Sequence, residues 1–194
     1  MKKISYSLRI GIIGNKEYLN EIFFDNLKSS AIKFNLSDDN YEVLIVFKQI
    51  PIKIKIYTYE KIDNLIYDFD NVKKIDAIIL TLDLYEPDSL KIINKLSVDE
   101  FNQSFAFQGL SILVGLNIEQ ILNKPTSKKF KISRFQLEKI TKDLNFIYCF
   151  EIFNKNRDVN EIYNTIFNDF ILRFQYSNPD LFETAKEYGK SLLS

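Results

Sequence analysis

The sequence predicts an α/β fold: a three-layer domain over residues 1–174 on a mostly parallel, six-stranded sheet with one antiparallel edge strand, then an amphipathic helix in residues 175–194. Three observations carry this. Ile75 to Leu82, IDAIILTL, is a continuous apolar run of the kind a central parallel strand needs when helices cover both its faces. Strand-like and helix-like periodicities alternate along the chain, as in βα units. Tyr41 to Phe47 and Ile50 to Tyr57 are β-branched runs separated only by Lys48 and Gln49, which reads as a hairpin with one solvated edge.

Each element follows from its own pattern. Ser7 to Ile13 is an apolar run ending at Gly14, and Ile22, Phe23 and Leu27 then recur at helical spacing, giving strand, loop and helix. After the central strand, Glu86, Pro87 and Asp88 make a turn, with Ser89 capping a helix that turns Leu90, Ile93 and Leu96 inward. Leu110 to Gly115 is the next buried strand. Ser133 caps a helix with Leu137, Ile140 and Leu144 inward, and Phe146 to Phe150 is the last strand. A long helix follows, its stripe running from Val159 through Ile162, Tyr163, Ile166, Phe167, Phe170 and Ile171 to Phe174. Asn178 and Pro179 form an N-cap and first-turn pair for the tail helix, whose Leu181, Phe182, Ala185, Tyr188 and Leu192 share one side.

Composition removes several function classes. Among 194 residues, 26 basic side chains balance 26 acidic ones, so no basic excess points to nucleic acid. The chain has no His, the commonest general base and metal ligand, and no metal site is expected. Cys149 is the only cysteine and sits in an apolar setting, a strand thiol rather than a nucleophile. No apolar run approaches a membrane span and no prenylation cysteine ends the chain, so a cytoplasmic protein without a membrane anchor is expected. Gly11 and Gly14 supply only GxxG, short of a dinucleotide fingerprint, and Asp83 at a strand end reads as a loop or capping residue.

RIGIIGNKEYLNE, from Arg9 to Glu21, reads as a strand entering a phosphate-binding loop and helix from which the phosphate-holding residues are missing. In GxxxxGK[ST] the glycines turn N–H groups to the phosphates, the Lys neutralises them and the hydroxyl binds Mg²⁺. With Gly14 as the first glycine, the last three positions are Leu19, Asn20 and Glu21; Asn15 and Lys16 lie inside the loop, the Lys out of register. Together with KKIDAIILTLDLYEPDSL (Lys73 to Leu90), GLSILVGLNIEQI (Gly109 to Ile121) and the closing segment from Ile132 to Phe167, the chain from Ser5 to Phe174 resembles the small GTPases of the Ras superfamily, a P-loop NTPase fold.

The resemblance implies where nucleotide residues would stand, and each motif departs from pattern. In the first switch Ser37 is the nearest substitute for a Mg²⁺-binding Thr; the second switch DxxG falls on Tyr57 through Glu60, without its Asp or Gly. NKxD becomes Leu116, Asn117, Ile118 and Glu119, and the SAK-like stretch becomes Phe153, Asn154 and Lys155. The expectation is therefore a non-catalytic pseudo-GTPase acting as a protein-interaction or scaffolding subunit, with no cofactor. Its partner would be a protein, either an active GTPase or a multi-subunit complex. The alternative is a GTP- or GDP-binding small GTPase, using Mg²⁺, with atypical motifs and slow or no hydrolysis. The interface candidates are the aromatic and apolar residues of the switch equivalent, Tyr41, Tyr57, Tyr59, Ile62, Leu65, Tyr67 and Phe69.

Overall fold

The computed structural model describes residues 5–37, 40–92, 95–105, 107–122 and 131–193. The expectations for Ile93 and for the side chains of Asn20, Ser37, Phe69 and Leu96 lie outside the described residues.

The sheet has seven strands: β1 (Tyr6–Ile13), β2 (Lys33–Ser37), β3 (Asn40–Phe47), β4 (Ile50–Tyr59), β5 (Ala77–Asp83), β6 (Leu110–Leu116) and β7 (Tyr148–Ile152). Their order is β2-β3-β4-β1-β5-β6-β7. This corrects the six-strand expectation. The additional strand is β2, which pairs antiparallel to β3 from Lys33 opposite Leu44 to Ser37 opposite Asn40. β3 also runs antiparallel to β4, whereas β4, β1, β5, β6 and β7 are mutually parallel. The antiparallel strand is therefore second from the edge, not the edge itself.

Two cores flank the sheet. On one face Ile10 and Ile12 of β1 and the alternating Ile50, Ile52, Ile54 and Ile56 of β4 meet three helices. These are α1 (residues 16–29), α5 (Lys155–Ser177) and α6 (Pro179–Leu193). α1 contains a wider, π-helical turn at Asn20–Phe24. On the other face Ile13, Ile78, Leu80 and Leu113 meet α2 (Ile62–Tyr67), α3 (Lys95–Phe105) and α4 (Arg134–Asp143). The continuous apolar run of β5 is buried on both faces, as its sequence requires.

Local chemistry sets the ends. The hairpin closes through Lys48 and Gln49, both at positive φ (49° and 68°), the left-handed pair that a two-residue turn needs to match strand twist. Ser133 and Gln136 form a capping box on α4: Gln136 N–H donates to Ser133 Oγ at 3.3 Å and Ser133 N–H to Gln136 Oε1 at 2.8 Å. Ser89 departs from expectation. Its hydroxyl donates to the carbonyls of Asp83 (2.8 Å) and Glu86 (2.6 Å) within the 3₁₀ segment Pro87–Ile92, and the α-helix begins at Lys95. Cys149 is half-buried on β7, whose Arg134 neighbour donates to the Cys149 carbonyl at 3.3 Å.

α6 folds back onto the domain. Only Asn178 separates it from α5; Asn178 N–H donates to Phe174 O and its carbonyl accepts from Phe182 N–H, both at 3.0 Å. Phe182, Ala185 and Gly189 are the residues it buries, and Phe182 packs on Phe174 with ring centroids 5.4 Å apart. Gly189 sits so close to the hairpin turn that a Cβ there would lie 1.8 Å from the Gln49 carbonyl oxygen.

Candidate functional site

The parallel strands β1, β5 and β6 end side by side, and an open α/β sheet keeps its ligand crevice outside such carboxyl ends. β1 stops at Ile13. Gly14 (φ 154°) extends the ladder one step, its N–H donating to Tyr59 O at 2.8 Å. Across from it on β5, the buried Thr81 hydroxyl donates to Ile13 O at 2.9 Å and fills the space where a Gly14 Cβ would project, 1.9 Å away. Asn15 then caps the helix: its side-chain oxygen accepts Glu17 N–H at 3.0 Å and its carbonyl accepts Tyr18 and Leu19 N–H.

The connection from β1 to α1 is therefore two residues long. The expected phosphate loop would need four residues between its glycines, but positions 16–21 are already helical. Leu19 is 0% exposed, packed in the first core with Ile22 and Phe23, while Lys16 and Glu21 face solvent. The loop reading of these positions is corrected accordingly: a short Asx-capped turn leads straight into an amphipathic helix, and Leu19 is one of its core positions.

A recess of about 230 Å³ remains beside this turn, lined by Asn15, Tyr18, Thr81, Asp83, Glu86 and Asp88 among others. Its lining carries three carboxylates and, among the described residues, no Lys or Arg. Asp83 Oδ1 accepts Tyr85 N–H at 2.9 Å. Burial, then the Asp83 and Glu17 charges, push the Tyr18 phenol above its ordinary range. A bare phosphate here would face like charge: one carboxylate and one phosphate charge 4 Å apart repel by roughly 4 kcal/mol at an effective dielectric near 20, and no Lys or Arg among the described lining residues offsets it.

At the end of β6, Leu116 and Asn117 are buried. Asn117 N–H donates to Ile152 O at 3.1 Å, and its side chain exchanges hydrogen bonds with Gln120, accepting from Gln120 N–H and donating to Gln120 Oε1, both at 3.3 Å. It caps the helical turn Ile118–Leu122, on which Glu119 is half-buried. The loop between β7 and α5 is likewise closed on itself. The Phe153 and Asn154 amides both donate to Asp158 Oδ2 at 2.8 Å, and Asn154 Oδ1 accepts Arg157 N–H at 3.0 Å. Burial alone would raise the Asp158 carboxyl, but these two amides and the Arg157 guanidinium, 2.8 Å away, outweigh it and hold the group below the usual carboxylate range. Lys155 Nζ pairs with Asp25 of α1 at 3.1 Å. Phe153 is 38% exposed, with Lys131 Nζ 5.6 Å from its ring centre.

The switch-equivalent face is mostly interior. Tyr57, Tyr59, Ile62 and Leu65 are buried in the second core, where α2 covers the side of β4 opposite its isoleucine row. Tyr59 hydroxyl donates to Asp68 Oδ2 at 2.8 Å, and burial followed by that carboxylate pushes its phenol far above the ordinary range. Tyr41 is half-buried and stacked on Phe24 at 3.6 Å. Glu60 is exposed, and of the described aromatic candidates Tyr67 alone is exposed, at 76%. Burial thus removes Tyr57, Tyr59, Ile62 and Leu65 as exposed anchors; they are what joins α2 to the sheet. Sequence reasoning missed Thr81 and Asp158. Asn154 followed by an acidic residue in the first helical turn was a capping signal that could have marked Asp158.

Comparison with protein-family models and with curated proteins gives no match. The seven-stranded, mostly parallel sheet is compatible with a P-loop-like fold. Among the described residues no helix is long and apolar enough to cross a membrane, and no group of three or more His, Cys, Asp or Glu side chains is placed to hold a metal ion.

Proposed function

We propose that this chain is a non-catalytic pseudo-GTPase, a domain of small-GTPase-like architecture that works through protein contacts as an interaction or scaffolding subunit. One observation carries the reading: the two-residue turn from β1 into α1, with Leu19 buried at the position where a phosphate loop would bring its second glycine to the ligand. The capped Asn117 and the Phe153 and Asn154 amides held by Asp158 support it, because groups already satisfied within the protein must break those bonds to read a base. The partner class on this reading is a protein, an active GTPase or a larger assembly.

The test is titration of nucleotide-stripped protein with GTP and with GDP, with and without Mg²⁺, read by calorimetry and thermal shift. No binding at millimolar nucleotide is expected. Binding tighter than ~10 µM, which linkage would register as about 2.7 kcal/mol of stabilisation at a hundredfold excess over Kd, would return the chain to the nucleotide-binding GTPases.

A further inference from the structure

At the opposite end of the sheet from this recess lies a larger cavity of about 420 Å³, between the start of β1 and the junction of α5 with α6. This is within the range of small-molecule sites. Its lining includes the aromatic residues Tyr6, Phe170 and Phe174 with Leu181, and among the described residues Asp76 is its one carboxylate and Arg173 its one cation. Asp76 immediately precedes β5 and is half-buried. Its Oδ2 accepts Arg9 N–H at 2.8 Å, and its own N–H donates to Arg9 O at 2.9 Å. Among the described residues nothing donates to Oδ1.

The nearby cations do not pair with it directly. Arg173 spends Nε on Asp169 at 2.7 Å and another guanidinium N–H on the Gln108 carbonyl at 2.9 Å. Lys73 lines the adjoining recess of about 250 Å³, which Asp76 and Arg173 share. Burial nonetheless pushes the Asp76 carboxyl above its ordinary value, against the pull of the Arg9 amide and the Arg9 and Arg173 charges. Its Oδ1 therefore lacks a donor among the described residues, and the cavity that Asp76 lines has aromatic residues in its walls.

From the open carboxylate oxygen and the ring-walled cavity before it, we infer that this cavity is a binding site for a flat aromatic molecule carrying an amidinium or comparable N–H donor group. The donor meets Asp76 in a charge-assisted hydrogen bond, and the ring lies against Tyr6, Phe170 and Phe174. Arg173, which also lines the cavity, and the charge of Arg9 weaken the attraction for a cation, so a fragment of this kind binds with Kd on the order of 1 mM. The inference is independent of the functional reading above, since no residue is shared with the recess at the other end.

The test is titration of the ¹⁵N-labelled protein with benzamidine and with its neutral isostere benzamide. Saturable benzamidine shifts confined to residues around Tyr6, Asp76 and Phe170 to Leu181 are expected, with benzamide at least tenfold weaker. Asp76→Asn keeps an acceptor for Arg9 N–H and loses the charge, and should abolish the tenfold preference. Leu181→Arg, at an exposed rim position, puts a tethered guanidinium over the cavity and should weaken benzamidine tenfold with an unchanged melting profile; it serves where Asp76→Asn fails to fold. No saturation by about 20 mM, shifts elsewhere in the protein, or equal affinity for the two probes would overturn the assignment.

Discussion

Replacing Gly189 by Ala sets two effects of opposite sign against each other. In an isolated helix the change stabilises by about 1 kcal/mol, because Ala loses less backbone freedom on folding. Here the new Cβ would lie 1.8 Å from the Gln49 carbonyl oxygen and 2.7 Å from its carbon. Ordinary carbon contacts begin near ~3.5 Å, so α6 would have to lift by roughly 1.5 Å. The turn cannot easily yield instead, since Lys48 and Gln49 already hold left-handed φ and the strands on either side are paired through Phe47 opposite Ile50. Lifting uncovers Phe182 and Ala185. Fully burying a side chain such as Phe182 contributes about 1.5–3 kcal/mol, and that sum caps the cost, because the helix can leave rather than strain. A net loss of about 1–2 kcal/mol is expected, roughly 2–8 °C in Tm for a domain of this size. Urea unfolding measures the loss, and amide exchange should accelerate selectively across residues 181–193. A variant with a raised unfolding midpoint, or with unchanged exchange in α6, would refute the docking geometry.

Asp158→Asn weakens the acceptor for two part-buried loop amides and removes the Arg157 pair, so it should cost about 1–3 kcal/mol at neutral pH. The native carboxyl is held below its unfolded value, so the wild-type stabilisation is fully present above about pH 4 and is lost as pH falls through the native value; acid unfolding of Asp158→Asn should lack that component. Tyr6 hydroxyl is buried without a hydrogen-bond partner among the described residues, and Tyr6→Phe should stabilise by about 1 kcal/mol in denaturant melts. Leu19→Gly, a single step toward the phosphate-loop pattern, should cost upwards of ~3 kcal/mol from lost core packing and helix propensity, and should yield no nucleotide binding by calorimetry.

The sheet was legible where burial dictates sequence. β5 and β6 are buried on both faces, and the runs AIILTL and LSILVG, short and bounded by turns, fit such strands. The Ser133 cap and the stripe of α5 were legible because caps and helical periodicity are local. β2 was not. Only Phe34 and Leu36 mark its period, Lys33 and Asn35 alternate with them, and an edge strand gains from being short and polar. Ser89 misled because a hydroxyl can accept as a cap or donate to carbonyls, and only the path of the chain decides which. The aromatic switch face misled for a different reason. Tyr57 and Tyr59 fall on the face of β4 opposite Ile52, Ile54 and Ile56, so covering them requires α2, and Ile62 with Leu65 supplies the cover. Read singly, the four resemble interface anchors; read by period, they form one layer of core.

The residues around the upper recess argue against a nucleotide site that one substitution could restore. Thr81 fills the space beside Gly14, Asn15 caps the helix that replaces the loop, Asn117 caps its own turn, and Asp158 holds the Phe153 and Asn154 amides. The Thr81 hydroxyl joins β5 to β1 through Ile13 O, and the other three are satisfied within their own segments. Reversing one leaves the remaining three in place, together with the carboxylates of Asp83, Glu86 and Asp88 facing any phosphate. On the proposed reading the Thr81 bond to Ile13 O, which joins β5 to β1, and the Asn117 N–H bond to Ile152 O, which joins β6 to β7, do at these strand ends what a bound nucleotide would otherwise do. The domain then needs no ligand at this edge to hold its shape, and a partner meets a surface of one fixed form.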